Sequence, residues 1–351
     1  MLNLFKNKIY SKTFNSIKVD PNKLNKKRLH FNESDSKPPT TPELFWLAFN
    51  YLLLIFWAII ILFPVVSLFI ASFNVNNPRV ATVTPFKFGF DNLFYLFKYK
   101  NVAALSPEQL QILKQNNASL FNFSGQTYIF DAQTRSYFSD WYLNTLYIAG
   151  FTAIISTTVV ALNAYAYSRF KFAGSKHSLT IIMLIQMIPA TSSLIVLYII
   201  VQLGTDINVS PIIMLVLIYS GGAIAGNTFM VKSYLDTVSA ELDDSAKIDG
   251  CNNWGLFFKI LLPVIRPALI MVALWSFLIP FTDVLLPSLV LPNQQDKTLA
   301  TGLQLFLSNQ QDIQAGAYTM GTLLASLPAF VLFMYLQRYI IGGLSDGAVK
   351  G

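Results

Sequence analysis

Residues 233–267 of this sequence read SYLDTVSAELDDSAKIDGCNNWGLFFKILLPVIRP, a long polar interruption in an otherwise apolar second half of the chain. The pattern predicts a short helix over residues 239–249, with Leu242 and Ala246 one turn apart on its apolar face. Gly250 follows where a helix end requires positive φ, which glycine adopts without strain from a Cβ. On the opposite face we expect three acidic side chains in contact with water: Asp243, Asp244 and Asp249.

A second short helix is expected after Gly250, because Asn252 or Asn253 can cap its free N–H groups. Four apolar side chains then follow at the i, i+3, i+4 and i+7 spacing of a helical stripe. Pro263 and Pro267 lead from this unit into more apolar sequence. The stretch therefore predicts a compact helix–turn–helix that is exposed between membrane spans. Its expected stripe consists of Trp254, Phe257, Phe258 and Leu261.

The run ELDDSAKIDG at residues 241–250, followed by Leu262-Pro263, resembles the EAA loop of ABC importer permeases. Asp244-Ser245-Ala246 stands where that family usually has Glu-Ala-Ala. An ordinary helix–turn–helix would share the local pattern, but the spacing, the flanking prolines and the position between spans together favour the EAA loop. In the family this loop docks into a groove of the ATPase subunit. The resemblance therefore implies a coupling role for Glu241, Asp244, Ser245, Ala246, Asp249, Gly250, Phe257 and Pro263.

The composition indicates an integral membrane protein. Of the 351 residues, 54% are hydrophobic and only 12% are charged, against roughly 25% charged in soluble proteins. The net charge of +7 would favour nucleic-acid binding in a soluble chain, but here the basic residues cluster near the N-terminus and in short loops. The single cysteine, Cys251, and the isolated histidines His30 and His177 give no metal-ligand spacing. No nucleophile–base pair is visible, so the sequence predicts neither catalytic residues nor a metal site.

Six apolar stretches reach the roughly 20 residues needed to cross a bilayer, which predicts an all-α fold with six transmembrane helices. An even number of spans places both termini on one side of the membrane. The positive-inside rule assigns that side to the cytoplasm, because the basic N-terminus and the loops 168–178 and 233–267 then share it. The predicted spans are Phe45–Phe73, Tyr142–Tyr167, Leu179–Leu203, Ile212–Val231, Ala268–Leu291 and Tyr318–Ile341.

These spans divide the chain into three parts. Residues 1–44 are polar and Lys-rich and predict a flexible basic cytoplasmic tail, either free in solution or lying on anionic lipid. Residues 45–342 form the transmembrane permease domain. Within it, the loop 74–138 is expected outside the cell, with turns and short strands over residues 116–140, and the coupling loop 233–262 is expected in the cytoplasm. Residues 343–351 form a C-terminal tail.

The resemblance implies a solute pathway through the spans, and four side chains are candidates for it because they offer hydrogen-bonding groups or an aromatic face. Asp283 is either such a residue or an interfacial residue near the outer end of a broken helix, since a carboxylate in a membrane is costly. The segment 221–228, GGAIAGNT, approaches a phosphate-binding loop but has Asn227 in place of lysine, so close helix packing explains it better. The candidates are Gln186, Asn227, Trp275 and Asp283.

Within the carbohydrate-uptake permeases, which have the type I importer fold, the similarity is closest to the second permease subunit of maltose/maltodextrin importers. The C-terminal GAVKG resembles a family tail that reaches into the ATPase dimer interface, which implies contacts by Gly347, Val349, Lys350 and Gly351. The resemblance implies a homologous second permease subunit, two ATPase subunits that bind ATP and Mg²⁺, and an external solute-binding protein as partners. It also implies a plasma-membrane location in contact with lipid, no cofactor on this chain and no nucleic-acid partner.

Three other functions stay open from the residues themselves. An ion-coupled secondary transporter would use Asp283 and would work without ATPases. An ABC permease for a solute other than a sugar would keep the loop 233–267 and change only the pathway. A membrane scaffold would bind a cytosolic partner through the same loop and carry no flux. Co-purification of an ATPase and a second permease separates the importer from the secondary transporter and the scaffold, and binding assays on the external receptor identify the solute.

Overall fold

The computed structural model describes residues 41–76, 83–97, 99–101, 105–108, 111–112, 120–123, 125–130, 136–308 and 314–348. The basic tail predicted for residues 1–44 lies outside these ranges except for its last four residues, which already belong to the first helix. The chain divides into two compact units, residues 1–62 and residues 63–351. In the first unit the described residues form part of a helix whose large apolar side chains are exposed, as expected for a segment surrounded by lipid.

Helices make up most of the described chain, and a small antiparallel sheet follows the second of them. In chain order the elements are α1 (Thr41–Phe73), α2 (Asp91–Leu96), β1 (Tyr99–Asn101), β2 (Leu120–Phe123), β3 (Gln126–Phe130), α3 (Phe138–Arg169), α4 (Ser175–Ile185), α5 (Leu194–Asp206), α6 (Pro211–Asp236), α7 (Glu241–Ile248), α8 (Asn253–Thr282), α9 (Leu285–Val290), α10 (Leu299–Ser308) and α11 (Ala315–Ala348). Among the described residues five helices are long and apolar enough to cross a membrane, namely α1, α3, α6, α8 and α11.

The predicted third span, Leu179–Leu203, is not one helix in the structure. It is divided between α4, which ends at Ile185, and α5, which begins at Leu194, with a 3-10 turn at Ala190–Ser193 between them. Pro189 explains the break, because proline lacks a backbone N–H and disfavours helical backbone at the preceding residue. Six continuous membrane helices are therefore not confirmed.

The predicted fifth span, Ala268–Leu291, is displaced toward the N-terminus. Helix α8 begins at Asn253, so it includes the second helix of the helix–turn–helix, and it ends at Thr282. Asp283 then takes extended backbone with ψ of 124°, and the chain continues into the short helix α9. The apolar stretch Ala268–Leu291 is long enough for one span, but the structure divides it between the end of the long helix α8 and the short helix α9.

Helices α3, α6 and α8 pack against one another, and two apolar clusters lie at different heights along them. The first, the loop-side cluster, joins these three helices to Ala246 of α7. The second, the far-side cluster, joins α3 and α6 to α5 and α9. Between the two heights the helices bury small hydroxyl side chains, which allow close approach of membrane helices. These hydroxyl residues are Thr152, Ser156, Ser220 and Ser276.

The described part of the segment 74–138 contains a three-stranded antiparallel sheet with strand order β1-β3-β2. The strands β2 and β3 lie within the predicted residues 116–140, whereas β1 was not predicted. The prediction of an all-α fold is therefore wrong for this segment. Tyr128 of β3 is buried against the ring of Phe94 in α2, and its hydroxyl lies 2.6 Å from Asp91 Oδ1. Burial, followed by the hydrogen bond and the charge of Asp91, raises the pKa of the Tyr128 phenol, which keeps it a neutral donor.

Gly302 of α10 lies directly against Trp141 of α3, so a Cβ at this position would come within 2.2 Å of Trp141 Cδ2. The indole N–H of Trp141 donates a hydrogen bond of 2.6 Å to the Gln294 carbonyl, which holds the ring in place. We expect Gly302→Ala to lower the free energy of unfolding by about 1–3 kcal/mol, as overpacking does. Thermal unfolding in detergent measures this loss. Gly150→Ala is the matched control because a Cβ there meets no atom within 4 Å, and equal melting temperatures would contradict the prediction.

Candidate coupling site

Helix α7 ends in the turn that the sequence predicted at Gly250. The φ of Gly250 is +80°, its N–H donates to the Lys247 carbonyl at 3.0 Å, and the Cys251 N–H donates to the Ala246 carbonyl at 3.0 Å. This pair of bonds is the Schellman motif, which satisfies carbonyls left over at a helix end. A Cβ at Gly250 would meet no atom within 4 Å, so the backbone angle, and not lack of space, requires glycine.

The buried face of α7 differs from the predicted one. Asp243 and Ala246 are buried, at 5% and 4% exposure, whereas Leu242 is 39% exposed. The expected water-facing position of Asp243 is therefore wrong, although Asp244 and Asp249 are exposed as predicted. An aspartate is buried only when a partner compensates its charge, so the correction points to a cation inside the site.

The charged partner of Asp243 is Arg169, the last residue of α3. Arg169 Nε lies 2.6 Å from Asp243 Oδ2, and the two side chains are 13% and 7% exposed. The guanidinium also donates to the carbonyls of Val238, at 3.1 Å, and Leu235, at 3.4 Å, where α6 ends. Sequence reasoning missed Arg169; the available signal was a single arginine at the end of an apolar span, on the same side of the membrane as the acidic run 241–244.

The second half of the site begins with a cap. Asn252 Oδ1 accepts a hydrogen bond of 2.7 Å from the Gly255 N–H, which decides between the two asparagines proposed as caps. The hydroxyl of Tyr165 in α3 donates to the Asn253 carbonyl at 3.2 Å, and its ring packs on Phe257 with centroids 5.0 Å apart. The start of α8 is thus attached to α3 by both a polar and an aromatic contact.

The predicted apolar stripe of the second helix is only half buried. Phe257 and Leu261 are 2% and 0% exposed, whereas Trp254 and Phe258 are 62% and 55% exposed and stack on each other with centroids 5.8 Å apart. The cause is a π-helical segment over Leu256–Leu261, in which the i→i+5 hydrogen bonds change the angle between successive side chains. A pattern based on 3.6 residues per turn does not apply there.

The side of α7 opposite Asp243 and Ala246 faces away from the helix bundle. Its residues follow the i, i+3, i+4, i+7 spacing of one helical face. Ile248 is 86% exposed, which is unusual for a large apolar side chain outside the membrane spans. We call this surface the outward face; it consists of Glu241, Asp244, Ser245 and Ile248.

The structure thus separates the eight predicted coupling residues into groups. Glu241, Asp244 and Ser245 lie on the outward face. Asp249 and Gly250 form the turn, and Pro263 is exposed further along α8. Ala246 and Phe257 belong instead to the loop-side cluster.

Two of the predicted pathway residues are found at α6: Asn227 belongs to this helix, and Gln186, which follows α4, contacts it. Gln186 Nε2 donates to the Gly222 carbonyl at 3.2 Å, and a Cβ at Gly226 would come within 2.9 Å of Gln186 Oε1. Asn227 donates to the Ala223 carbonyl of its own helix at 2.8 Å. The segment 221–228 is continuous helix, which excludes a phosphate-binding loop there. Its glycine at position 226 packs closely against Gln186, as the helix-packing interpretation predicts.

The other two pathway candidates lie on or after α8. Trp275 is 57% exposed. Asp283 follows the helix, and both of its carboxylate oxygens are engaged: Oδ2 accepts from the Tyr219 hydroxyl at 2.9 Å, and Oδ1 accepts from the Leu285 N–H at 2.9 Å. The Asp283 carboxylate therefore caps the start of α9 and connects the break between α8 and α9 to α6. These contacts favour the interpretation as a residue of a broken helix over that of a free carboxylate in the pathway.

The C-terminal residues are described only in part. Helix α11 continues through Ala348, so the tail predicted from residue 343 onward is helical as far as it is described, and Gly347 lies in that helix. Val349, Lys350 and Gly351 lie outside the described residues.

Residues 158–345 match the protein family described as the inner membrane component of binding-protein-dependent transport systems. This region runs from α3 into α11 and contains the whole of the helix–turn–helix. The chain belongs to this family. It is a multi-pass membrane permease subunit of an ABC importer.

Relatives of this permease include sugar transport proteins. It is 41% identical over 212 residues to the maltodextrin transport system permease protein MdxG of Bacillus subtilis, covering 60% of this chain and 76% of the relative. It is 35% identical over 306 residues to the galactooligosaccharides transport system permease protein GanQ of the same organism, covering 87% and 96%. A subunit of a bacterial alginate ABC transporter, solved with a periplasmic protein that holds an alginate pentasaccharide, shares the fold of the permease, with a TM-score of 0.54, 16% identity and coverage of 84% and 93%.

Proposed function

We propose that this permease is one of two membrane subunits of an importer that takes up an oligosaccharide, and that its helix–turn–helix docks on an ATPase subunit. The outward face of α7 carries the proposal, because it exposes Ile248 beside Glu241 and Asp244 at the end of a tightly packed helix bundle. An apolar anchor with a polar rim is typical of a protein contact and unsuited to lipid. The position of this surface within the family-matched region supports the same conclusion.

The substrate class follows from the relatives. MdxG is named for the transport of maltodextrin and GanQ for the transport of galactooligosaccharides. The match to GanQ covers most of the permease. Both substrates are short chains of sugar units, so we propose an oligosaccharide, with maltodextrin as the first to test. The pathway residues Gln186, Asn227, Trp275 and Asp283 stay proposals; Trp275 supplies an exposed aromatic face on which a sugar ring could stack.

The proposed assembly contains a homologous second permease, two ATPase subunits and an external solute-binding protein. A bound periplasmic protein in the alginate transporter of similar fold supports the last of these. ATP and Mg²⁺ would bind to the ATPases. The helix–turn–helix, both chain termini and the tail residues Gly347, Val349, Lys350 and Gly351 would then lie on the cytoplasmic side, and the segment 74–138 outside. The N-terminal residues 1–44 would form a basic cytoplasmic tail near the lipid surface.

The geometry indicates how closure of the ATPases would reach the membrane. Helix α7 is fixed to α3 through Arg169 and to the loop-side cluster through Ala246, so it cannot move without displacing the bundle. Packed interfaces move as rigid bodies between discrete arrangements. Movement of α7 would therefore tilt α3, α6 and α8 together, and access to the pathway would alternate between the two sides of the membrane. Ion coupling through Asp283 loses support, because both of its oxygens are already engaged.

Reconstitution tests the proposed function. The tagged permease, expressed with its neighbouring subunits and purified in mild detergent, is expected to retain an ATPase and a second permease. In sealed proteoliposomes supplied with the external binding protein, uptake of labelled maltodextrin should require ATP, and vesicles without the binding protein serve as the control. Uptake by this permease alone in vesicles free of nucleotide would contradict the proposal.

A further inference from the structure

We infer that Arg169 and Asp243 form a buried strut that transmits the displacement of α7 to α3, so that both are positioning residues for coupling. The inference rests on the proposed function, because it requires an ATPase that pulls on α7. It concerns the inward side of α7, which carries no docking residue, and assigns a role to an arginine that the EAA-loop pattern does not contain.

Helix α7 is attached to the bundle at two separate points. Near its N-terminus, Asp243 is paired with Arg169 at 2.6 Å. Toward its C-terminus, Ala246 packs in the loop-side cluster, and the following segment is held by the hydrogen bond from Tyr165 to the Asn253 carbonyl. Two attachments fix the direction of a helix axis, whereas one would leave a pivot. Loss of the ion pair would therefore leave α7 attached but free to swing.

The same guanidinium also holds the end of α6. It donates to the Leu235 and Val238 carbonyls, and the neighbouring Ser168 hydroxyl donates to Asp236 Oδ1 at 2.7 Å. Arg169 thereby joins three elements: the last residue of α3, the C-terminal turn of α6 and the helix α7. A displacement of α7 would reach α3 and α6 together through this one side chain.

The pair is held by charge in a buried place, because Arg169 Nε lies 2.6 Å from Asp243 Oδ2 without forming a hydrogen bond to it. Asp243 Oδ1 is buried and accepts no hydrogen bond from the described residues, so the charge of Asp243 depends on Arg169 for compensation. At this burial neither water nor salt screens the pair effectively. Removing one partner leaves a buried charge alone, which is far more costly than losing a surface ion pair. A lysine could supply the charge but not the planar fork that reaches a carboxylate and two carbonyls at once.

The position of the strut separates coupling from docking. The outward face of α7 points to the opposite side from Asp243, so neutralising the pair leaves Glu241, Asp244 and Ile248 available to the ATPase. The expected consequence is an importer that assembles and hydrolyses ATP but moves little sugar. If the pair were needed only for folding, its substitution would instead lower the amount of assembled complex.

The test compares Arg169→Met and Asp243→Asn with a control in the complete importer. Lys232→Met is the matched control, because Lys232 forms its ion pair with Asp236 within α6, on the same end of the bundle. Two quantities are measured: the ATPase retained on the tagged permease, and the sugar transported per ATP hydrolysed in proteoliposomes. For both strut variants we expect normal ATPase retention and at least a tenfold fall in sugar per ATP. The exchanged pair Arg169→Asp with Asp243→Arg should recover part of this loss, and Lys232→Met should match the unaltered protein.

Each outcome bears on the inference. Unchanged sugar per ATP in Arg169→Met and Asp243→Asn overturns it and leaves the proposed function intact. Loss of ATPase retention in parallel with transport also overturns it, because the pair would then act in docking or folding. If the unaltered permease retains no ATPase, the proposed function fails and the strut fails with it. Hydrogen exchange of the backbone of residues 241–248 gives a further readout, and faster exchange in the strut variants but not in Lys232→Met supports the inference.

Discussion

Gly250→Pro is expected to lower the rate of sugar uptake at least about tenfold, while the permease still inserts into the membrane and resists proteolysis. Gly250 has φ of +80° and donates its N–H to the Lys247 carbonyl at 3.0 Å. Proline fixes φ near −65° and has no N–H, so both features of the turn are lost. The two halves of the helix–turn–helix would then lose their fixed orientation. ATP-dependent uptake in proteoliposomes measures the effect.

Gly250→Asn is the control for this prediction, because asparagine adopts positive φ more readily than other residues and keeps the N–H. It should retain most of the transport rate. A second control is Gly174→Pro, at a glycine with φ of +87° before α4, where a Cβ also meets no atom within 4 Å. Equal losses in Gly250→Pro and Gly174→Pro would show that the effect is general strain and would contradict a specific role of the turn in α7.

Ile248→Asp is expected to weaken retention of the ATPase on the tagged permease at least about tenfold, which corresponds to roughly 1.4 kcal/mol of binding free energy. Ile248 is 86% exposed and lies at the end of the outward face, so it is the apolar anchor with the most surface to bury. A carboxylate there would be desolvated beside Asp244 and Glu241 without a partner. The fraction of ATPase that remains bound after washing in detergent measures the loss.

Ile207→Asp is the matched control, because Ile207 is 74% exposed and follows α5, a helix that contributes to the far-side cluster and not to the loop-side cluster that holds α7. Its ATPase retention should equal that of the unaltered permease. Normal retention in Ile248→Asp, with the protein folded, would show that the outward face does not bind the ATPase.

Local chemistry made the turn of the coupling site predictable. Positive φ at Gly250 and the cap at Asn252 each depend on residues only a few positions apart, and both are present. The long apolar stretches were equally visible, because the need to satisfy backbone groups in lipid leaves few alternatives to helix. The exposure of Asp244 and Asp249 followed from their charge.

The parts that sequence reasoning missed depend on distant residues or on departures from the regular period. Burial of Asp243 requires Arg169, which lies in a different helix, so no pattern within the loop could show it. The π-helical segment Leu256–Leu261 turns Trp254 and Phe258 outward against the expected stripe. The break of the third span at Pro189 was hidden by continuous hydrophobicity, since hydropathy does not register a missing N–H.

Photocrosslinking from position 248 tests most directly whether the outward face of α7 contacts the ATPase. A photoreactive phenylalanine derivative replaces Ile248 in the assembled importer, and the same replacement at Ile207 serves as the control. We expect a covalent adduct between the permease and the ATPase subunit from position 248 and none from position 207. No adduct with the ATPase from position 248, or labelling of that position from outside intact cells by a reagent that cannot cross the membrane, would contradict it.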